Sequence, residues 1–149
     1  MHRRNLFMGL AAGVGAMLAS AARSGAAQAA SPDSSKVVYH LADLDKVNFV
    51  LGNIKNHYEG VGGPSHVKIA LVVHGPALKA FQATAANPIV KKDVSQFHRE
   101  GLELSACGNT MKAQKLTLND LLPGFVAAEQ GGVVRIAELQ AQGYLYLRP

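Results

Sequence analysis

The sequence contains one cysteine, Cys107, among 149 residues. A lone thiol cannot form a disulfide within its own chain, so the fold must be held together by its apolar core. Three roles remain for Cys107: a buried and inert side chain, a bond to another molecule, or a free reactive thiol. The cysteine count therefore excludes a disulfide scaffold.

Clustered positive charge is also scarce. The formal net charge is +5, but Arg3, Arg4 and Arg23 lie near the amino terminus and leave 12 basic against 10 acidic side chains in the remainder. Beyond Lys91 and Lys92 there is no cluster of basic residues. Because nucleic-acid binding depends on such a cluster, we expect no nucleic-acid partner.

Glycine-rich phosphate-binding motifs are missing as well. The sequence has no Gly-x-Gly-x-x-Gly and no Gly-Lys-Ser/Thr turn after a predicted strand, which argues against a dinucleotide or nucleoside triphosphate site. We therefore expect no cofactor. The length suits one domain, and we find no internal repeat.

The first thirty residues have the organisation of an export signal. Residues 1–4 are basic, residues 6–22 are uncharged and mostly apolar, and residues 27–29 give the small-x-small pattern of a signal peptidase site. Residues 3–7 resemble the twin-arginine motif. We predict that residues 1–30 are a twin-arginine (Tat) signal peptide and that the folded protein is exported to the periplasm, with no membrane contact after cleavage.

The alternative is an uncleaved signal anchor, which the glycines and alanines of the apolar segment disfavour. In both cases the domain faces the same compartment. Residues 31–35 have the composition of a short polar linker. The folded domain is then expected over residues 36–149.

Within that domain, strand patterns alternate with helical ones. The predicted strands are 36–41, 66–73, 102–106, 125–128 and 144–147. The first predicted helix begins near a cap at Asp43 or Asp45, and the last one has an apolar stripe of Val133, Ile136 and Ala137. Alternation of this kind indicates parallel pairing through right-handed crossovers, so the predicted fold is an α/β three-layer sandwich with a mostly parallel sheet of about five strands.

Three reactive side chains lie where predicted strands end. His40 is near the end of the first strand, His74 follows the second, and Cys107 follows the third. In an open parallel sheet, ligands bind beyond the carboxyl ends of the strands. These residues are therefore candidates for one site, with His74 as a candidate base, although nothing in their spacing forces them into contact.

Cys107 also precedes a predicted short helix. Amide groups at a helix start favour negative charge, and such placement lowers a thiol pKa from about 8.5 to roughly 3.5–7.5. Gly108 permits close approach of a substrate, while Asn109 and Thr110 are placed to cap the helix or donate hydrogen bonds to the thiolate. A buried cysteine without reactivity is the alternative.

Other candidates are less specific. Asn53 belongs to the site only if the first helix borders it, and His57 on the same helix is expected to be solvated. Lys112 and Lys115 add positive charge near the cysteine but are expected to be solvated too.

Several segments resemble the DsrE/DsrF-like family. They are residues 53–57, 74–76, 106–113, 121–124 and 132–140 with Gly143 and Tyr144, and the likeness extends from Lys36 to Pro149. The resemblance implies a flavodoxin-like or Rossmann-like fold and assembly into trimers or hexamers. It also implies a cysteine that carries sulfur as a persulfide, as in characterised cytoplasmic members that act in sulfur oxidation or tRNA thiolation. Cys107 is the residue that would inherit that role.

Export sets this chain apart from those cytoplasmic members and excludes a tRNA relay. Our leading hypothesis is a periplasmic sulfur carrier or sulfurtransferase, in which Cys107 exchanges sulfane sulfur with a partner protein or a small sulfur compound. One alternative is a non-catalytic module that holds a soft metal or a small ligand at His40, His74 and Cys107. The other is a ring-forming structural subunit whose cysteine is incidental.

Overall fold

The computed structural model describes residues 35–149, which form five strands and four α-helices. The predicted signal peptide and most of the predicted linker lie outside these residues. The elements are β1 (Ser35–Leu41), α1 (Val47–Gly60), β2 (Val67–Val73), α2 (Pro88–Arg99), β3 (Glu103–Cys107), α3 (Gly108–Gln114), β4 (Phe125–Ala128), α4 (Gly132–Ala141) and β5 (Leu145–Leu147). A seven-residue 3₁₀ helix, Gly75–Phe81, follows β2.

The strands form one sheet in the order β4-β3-β2-β1-β5, and every pairing among them is parallel. Chain order therefore runs outward from β1 to one edge and returns to the other edge with β5. Strand β2 lies at the centre, where six of its seven residues are buried. This arrangement confirms the predicted α/β fold and parallel sheet.

Helices cover both faces of the sheet. The larger core lies on the side of α1 and α2, where Leu51 and Ile54 of α1 and Val94 of α2 pack on alternate strand residues such as Leu71. The smaller core lies under α4, which packs Ile136 and Leu139 on Val38, Ala70 and Val72. The two cores contain alternate residues of the same strands, because successive side chains of a strand point to opposite faces of the sheet.

The starts of two helices differ in how well the sequence predicts them. Proline favours the first turn of a helix, so Pro88 predicts a helix start. Helix α2 does begin there, and the side chain of Asn87 accepts a hydrogen bond from the Val90 amide at 2.9 Å. The predicted cap of α1 at Asp43 or Asp45 is wrong. A 3₁₀ turn, Leu44–Lys46, leads directly into α1, and neither start has a side-chain cap.

The predicted apolar stripe of α4 is also only partly right. Ile136 is buried, but Val133 is 68% exposed and Ala137 is exposed. The buried stripe consists of Gly132, Ile136 and Leu139. The spacings of four and seven residues fit one helix face, and they place a glycine rather than a valine against the sheet.

Several strand ends differ by one residue from prediction, and one of these differences, at the end of β3, lies in the site. Strand β1 begins at Ser35, the last residue of the predicted linker, and Cys107 is the final residue of β3 rather than the first residue after it. Among residues 35–149, no helix has both the length and the apolar character that crossing a membrane requires.

Candidate functional site

Strand register brings His74 and Cys107 side by side. The last aligned pair of β2 and β3 is Val73 with Ala106, so His74 and Cys107 are the next residue on each strand. His40 pairs with Val72 in the register of β1 and β2, two residues before His74. Because side chains alternate, His40, His74 and Cys107 share the α4 face at the carboxyl edge of the sheet.

The thiol of Cys107 lies between the starts of two helices. Helix α3 begins at the next residue, and α4 begins at Gly132. A Cβ added at Gly132 would lie 3.3 Å from the Cys107 Cβ and 3.4 Å from the His74 Cβ. Cys107 is 6% exposed. The sulfur is therefore nearly enclosed.

Hydrogen bonds at this position favour the thiolate. Burial acts to raise the pKa of Cys107, but hydrogen bonds from the Thr110 hydroxyl and from the amides of Thr110, Gly132 and Asn109 together lower it below the ordinary value of a cysteine. The donors come from both helix starts. The sulfur can thus carry a negative charge in a site with little access to water.

Thr110 also connects this site to the loop after β2. Its hydroxyl oxygen accepts a hydrogen bond from the Gly75 amide at 2.9 Å. The Gln114 side chain donates to the Gly75 carbonyl at 2.9 Å, so side chains of α3 hold both backbone polar groups of Gly75. These contacts fix the backbone immediately after His74 relative to Cys107.

Gly108 is required where α3 meets the segment after β4. A Cβ at this position would lie 3.0 Å from the Ala128 carbonyl oxygen and 3.2 Å from the Glu129 Cα and carbonyl oxygen. These neighbours are backbone atoms and cannot move aside easily. The predicted role of Gly108 in substrate approach is therefore accompanied by a clear packing role.

The two histidines form a direct contact. His40 and His74 hydrogen-bond through their Nε2 atoms, with ring centroids 4.6 Å apart and ring planes 18° apart. Rings stacked face to face would not bring these two atoms together, so the rings lie end to end and nearly coplanar. The other nitrogen of His40, Nδ1, lies 2.7 Å from the hydroxyl oxygen of Tyr146 on β5.

Both histidines are held toward the neutral form. Burial lowers the pKa of His40, followed by the effects of His74 and Arg148, while Asp43 acts in the opposite direction. Burial also lowers the pKa of His74, with a further contribution from Arg148 and opposition from Asp43. Arg148 and Asp43 themselves form an ion pair at 3.5 Å.

Asn53 and His57 lie apart from this cluster, on α1 and thus on the opposite face of the sheet. The Nδ2 atom of Asn53 is buried without a hydrogen-bond partner among the described residues. His57 is half-buried and lies with its Nδ1 atom 2.9 Å from the Tyr39 hydroxyl, so the expectation of a solvated side chain is wrong. Lys112 and Lys115 are exposed, as expected.

The cluster does not assemble a metal site. Across residues 35–149, no group of three or more His, Cys, Asp or Glu side chains is arranged to hold a metal ion. His40 and His74 direct their Nε2 atoms at each other, and the groups that hydrogen-bond Cys107 are Thr110, Asn109 and Gly132. The soft-metal alternative therefore gains no support from the geometry.

A concavity of about 330 Å³ adjoins the cysteine end of β3. It lies between β4 and α4, and its lining includes Ser105, Ala128, Gly131 and Arg135. A larger concavity of about 510 Å³ lies at the amino edge of the sheet and includes Lys36, Lys68 and Glu100. The second is remote from Cys107, whereas the smaller one borders Ala128, the residue that pairs with Cys107 in the register of β3 and β4.

Two residues of the site were not predicted from the sequence. Tyr146 is on a strand that pairs with β1 although it is more than 100 residues away, so nothing local links it to His40. Gly132 carried a detectable signal, because a Gly-Gly pair at a predicted helix start is typical of close backbone approach.

Comparisons with known proteins agree with this fold. The family model described as DsrE/DsrF-like family matches residues 19–149. The structure of the protein of unknown function MTH1491 from Methanobacterium thermoautotrophicum is similar with a TM-score of 0.68 and 26% identity, over 77% of this chain and 99% of that one.

A second similar structure is that of the conserved protein of unknown function BT1422 from Bacteroides thetaiotaomicron. Its TM-score is 0.56 at 15% identity, over 78% of this chain and 95% of that one, which shows likeness of fold only. No curated protein matches the chain.

Proposed function

Because the chain belongs to the DsrE/DsrF-like family, whose membership suggests a sulfur-related function, we propose that Cys107 accepts a sulfane sulfur as a persulfide and passes it to an acceptor. The observation that carries this proposal is the set of hydrogen bonds to the Cys107 sulfur, which lower its pKa despite burial. A thiolate is the form of cysteine that attacks sulfur.

The chemistry is a pair of sulfur exchanges. The Cys107 thiolate attacks the outer sulfur of a donor persulfide, a new S–S bond forms at Sγ, and the donor's own S–S bond breaks with its electron pair leaving on the inner sulfur. An acceptor thiolate then attacks the terminal sulfur of the Cys107 persulfide and releases the Cys107 thiolate. No net oxidation occurs, since one neutral sulfur atom is moved.

The amides around Cys107 stabilise the persulfide anion as well as the thiolate. A persulfide anion places its charge one atom farther from Cβ, and the starts of α3 and α4 both direct amide groups toward this region. Gly132 has no side chain to obstruct the added sulfur. Thr110, held by Gly75, keeps its hydroxyl beside the sulfur.

Intact-mass measurement tests the proposal. The reduced protein is incubated with a polysulfide, and a gain of about 32 Da that dithiothreitol removes is expected for persulfidation. Cys107→Ser is the matched variant because it keeps the size of the side chain, and its folding is checked by circular dichroism. Absence of the adduct on the unaltered protein, or the same adduct on Cys107→Ser, would refute the transfer role.

Export by the twin-arginine route remains part of the proposal. It rests on residues 1–30, and replacement of Arg3 and Arg4 by lysine is the direct test. We expect the unaltered chain in the periplasmic fraction and the double variant in the cytoplasmic one. Equal periplasmic amounts would contradict the predicted route.

Assembly into a homo-oligomer, a trimer or a hexamer, is proposed too. Three exposed valines on the α4 side of the sheet support it, namely Val126, Val133 and Val134. Apolar surface of this kind is typical of subunit contacts. Light scattering coupled to gel filtration measures the mass directly, and a monomer at all concentrations would end this part of the proposal.

A further inference from the structure

Tyr146, His40 and His74 form a diagonal line across three adjacent strands. Tyr146 pairs with Val38 in the register of β5 and β1, and His40 is two residues farther along the same face. His40 pairs in turn with Val72, and His74 is again two residues farther. Diagonal neighbours on one face of a sheet are close enough for long side chains to touch.

Hydrogen bonds join Tyr146, His40 and His74 in turn. The Tyr146 hydroxyl contacts Nδ1 of His40, and Nε2 of His40 contacts Nε2 of His74. The line continues by register to Cys107, since His74 and Cys107 are the residues after the last aligned pair of β2 and β3. Tyr146 at the far end is 41% exposed, so the line runs from solvent toward the sulfur.

We propose that Tyr146, His40 and His74 are a proton relay that sets the tautomer of His74 and supplies a proton to the sulfur that leaves when Cys107 takes up sulfane sulfur. This inference rests on the proposed function of Cys107. Tyr146 and His40 act through His74 and are positioning residues. Neither was assigned this role by the sequence.

The tautomers follow from the number of protons available. Only one of the two facing Nε2 atoms carries a proton, because a hydrogen bond between them needs one donor and one acceptor. If the Tyr146 hydroxyl donates to Nδ1 of His40, then His40 donates from Nε2 to His74, and His74 carries its own proton on Nδ1. His74 is then a donor on the side away from His40.

The proton balance of the transfer needs such a donor. Attack of the Cys107 thiolate on a donor persulfide, R–S–SH, gives the Cys107 persulfide and the thiolate R–S⁻, which becomes R–SH by taking one proton. His74 gives that proton, His40 replaces it, and Tyr146 replaces the proton of His40 from solvent. Every hydrogen bond of the relay is then reversed, and the original direction returns when the acceptor thiol gives its proton back to Nδ1 of His74 as Cys107 passes its sulfur on.

The charged surroundings suit a relay that is neutral at rest. Asp43 and Arg148 lie beside the histidines and are paired with each other, and beyond them lies Cys107, whose pKa is lowered by hydrogen bonds despite burial. The pH profile of sulfur uptake is therefore expected to contain a step from the histidine pair and a step from the thiol.

The test compares two tyrosine variants. Tyr146→Phe removes the hydroxyl at the start of the relay, whereas Tyr144→Phe removes one that donates to Glu103 at 3.2 Å and does not contact the histidines. With a polysulfide as donor, we expect the rate of adduct formation to fall on the order of tenfold in Tyr146→Phe, with a shifted pH profile, and to stay unchanged in Tyr144→Phe. His40→Gln is expected to behave like Tyr146→Phe.

A second measurement does not depend on sulfur transfer. Nitrogen-15 NMR of the histidine rings reports which nitrogen of His74 carries the proton, and we expect this to change in Tyr146→Phe but not in Tyr144→Phe. If the adduct forms at the same rate and the His74 tautomer is unchanged in Tyr146→Phe, the relay is refuted while the sulfur carrier stands. If the unaltered protein forms no adduct, the proposed function fails, and the NMR result alone then decides whether Tyr146 sets the tautomer.

Discussion

The hydroxyl of Thr110 accepts a hydrogen bond from the Gly75 amide at 2.9 Å and also hydrogen-bonds the Cys107 sulfur. A hydroxyl has one proton and two lone pairs, so it can do both at once. Because the Gly75 amide occupies a lone pair, the proton is directed at the sulfur. The loop after β2 thus orients the group that stabilises the thiolate.

Replacement of Thr110 by valine should therefore raise the thiol pKa. A hydrogen bond to a charged group contributes about 1.5–3 kcal/mol, so loss of this one favours the neutral thiol. Titration of the thiolate absorbance in the ultraviolet measures it. Thr110→Ser retains the hydroxyl and serves as the control; equal pKa values in the unaltered and Thr110→Val proteins would show that the amides alone lower the pKa.

Gly108 and Gly52 should respond in opposite ways to substitution by alanine. At Gly108 the added Cβ would press on backbone atoms of Ala128 and Glu129, and we expect a loss of about 1–3 kcal/mol. At Gly52 in α1 nothing lies within 4 Å of the added Cβ, so the gain in helix propensity should stabilise by about 0.5–1 kcal/mol. Urea unfolding gives both values; similar changes at the two positions would contradict the close approach at Gly108.

The buried face of α4 is tested by Leu139 and Val133. Leu139 has no exposed surface, so Leu139→Ala should lower the free energy of unfolding by about 2–5 kcal/mol. Val133→Ala should change it by less than about 0.5 kcal/mol because that side chain is 68% exposed. If Val133→Ala greatly lowers the free energy of unfolding in dilute monomeric protein, the stripe predicted from the sequence is the one that packs on the sheet. If it does so only in the assembled form, Val133 lies in a subunit contact.

Stability should fall in mild acid because of the histidines. Burial lowers the pKa of His40, His57 and His74, so the unfolded chain binds protons that the folded one resists. Their contribution is complete above the unfolded pKa of about 6.5 and is lost as the pH falls through the folded values. The urea midpoint should decline below that pH, and the decline should be shallower in the double variant His40→Gln with His74→Gln. An identical decline in that variant would assign the effect to other groups.

Much of the fold was predictable because its signals are local. Each signal lies within a single element. The β-branched run Val67–Val73 predicts a strand, and the helical spacing of Val50, Leu51, Ile54 and Tyr58 predicts α1. Alternation of such elements then implies parallel pairing, since the chain has to return to the same edge of the sheet. The cap of α1 was predicted wrongly because a 3₁₀ turn leads into this helix and no side chain caps its start.

The sequence by itself determined that a lone thiol and two histidines lie at or just past the ends of three strands, and that all three lie at one edge of the sheet. Only the tertiary structure decided which groups surround the sulfur, that His40 faces His74, and that Tyr146 completes their line. The reason is that register between strands and the approach of a helix start such as Gly132 arise from packing between distant segments. No pattern confined to neighbouring residues contains that information.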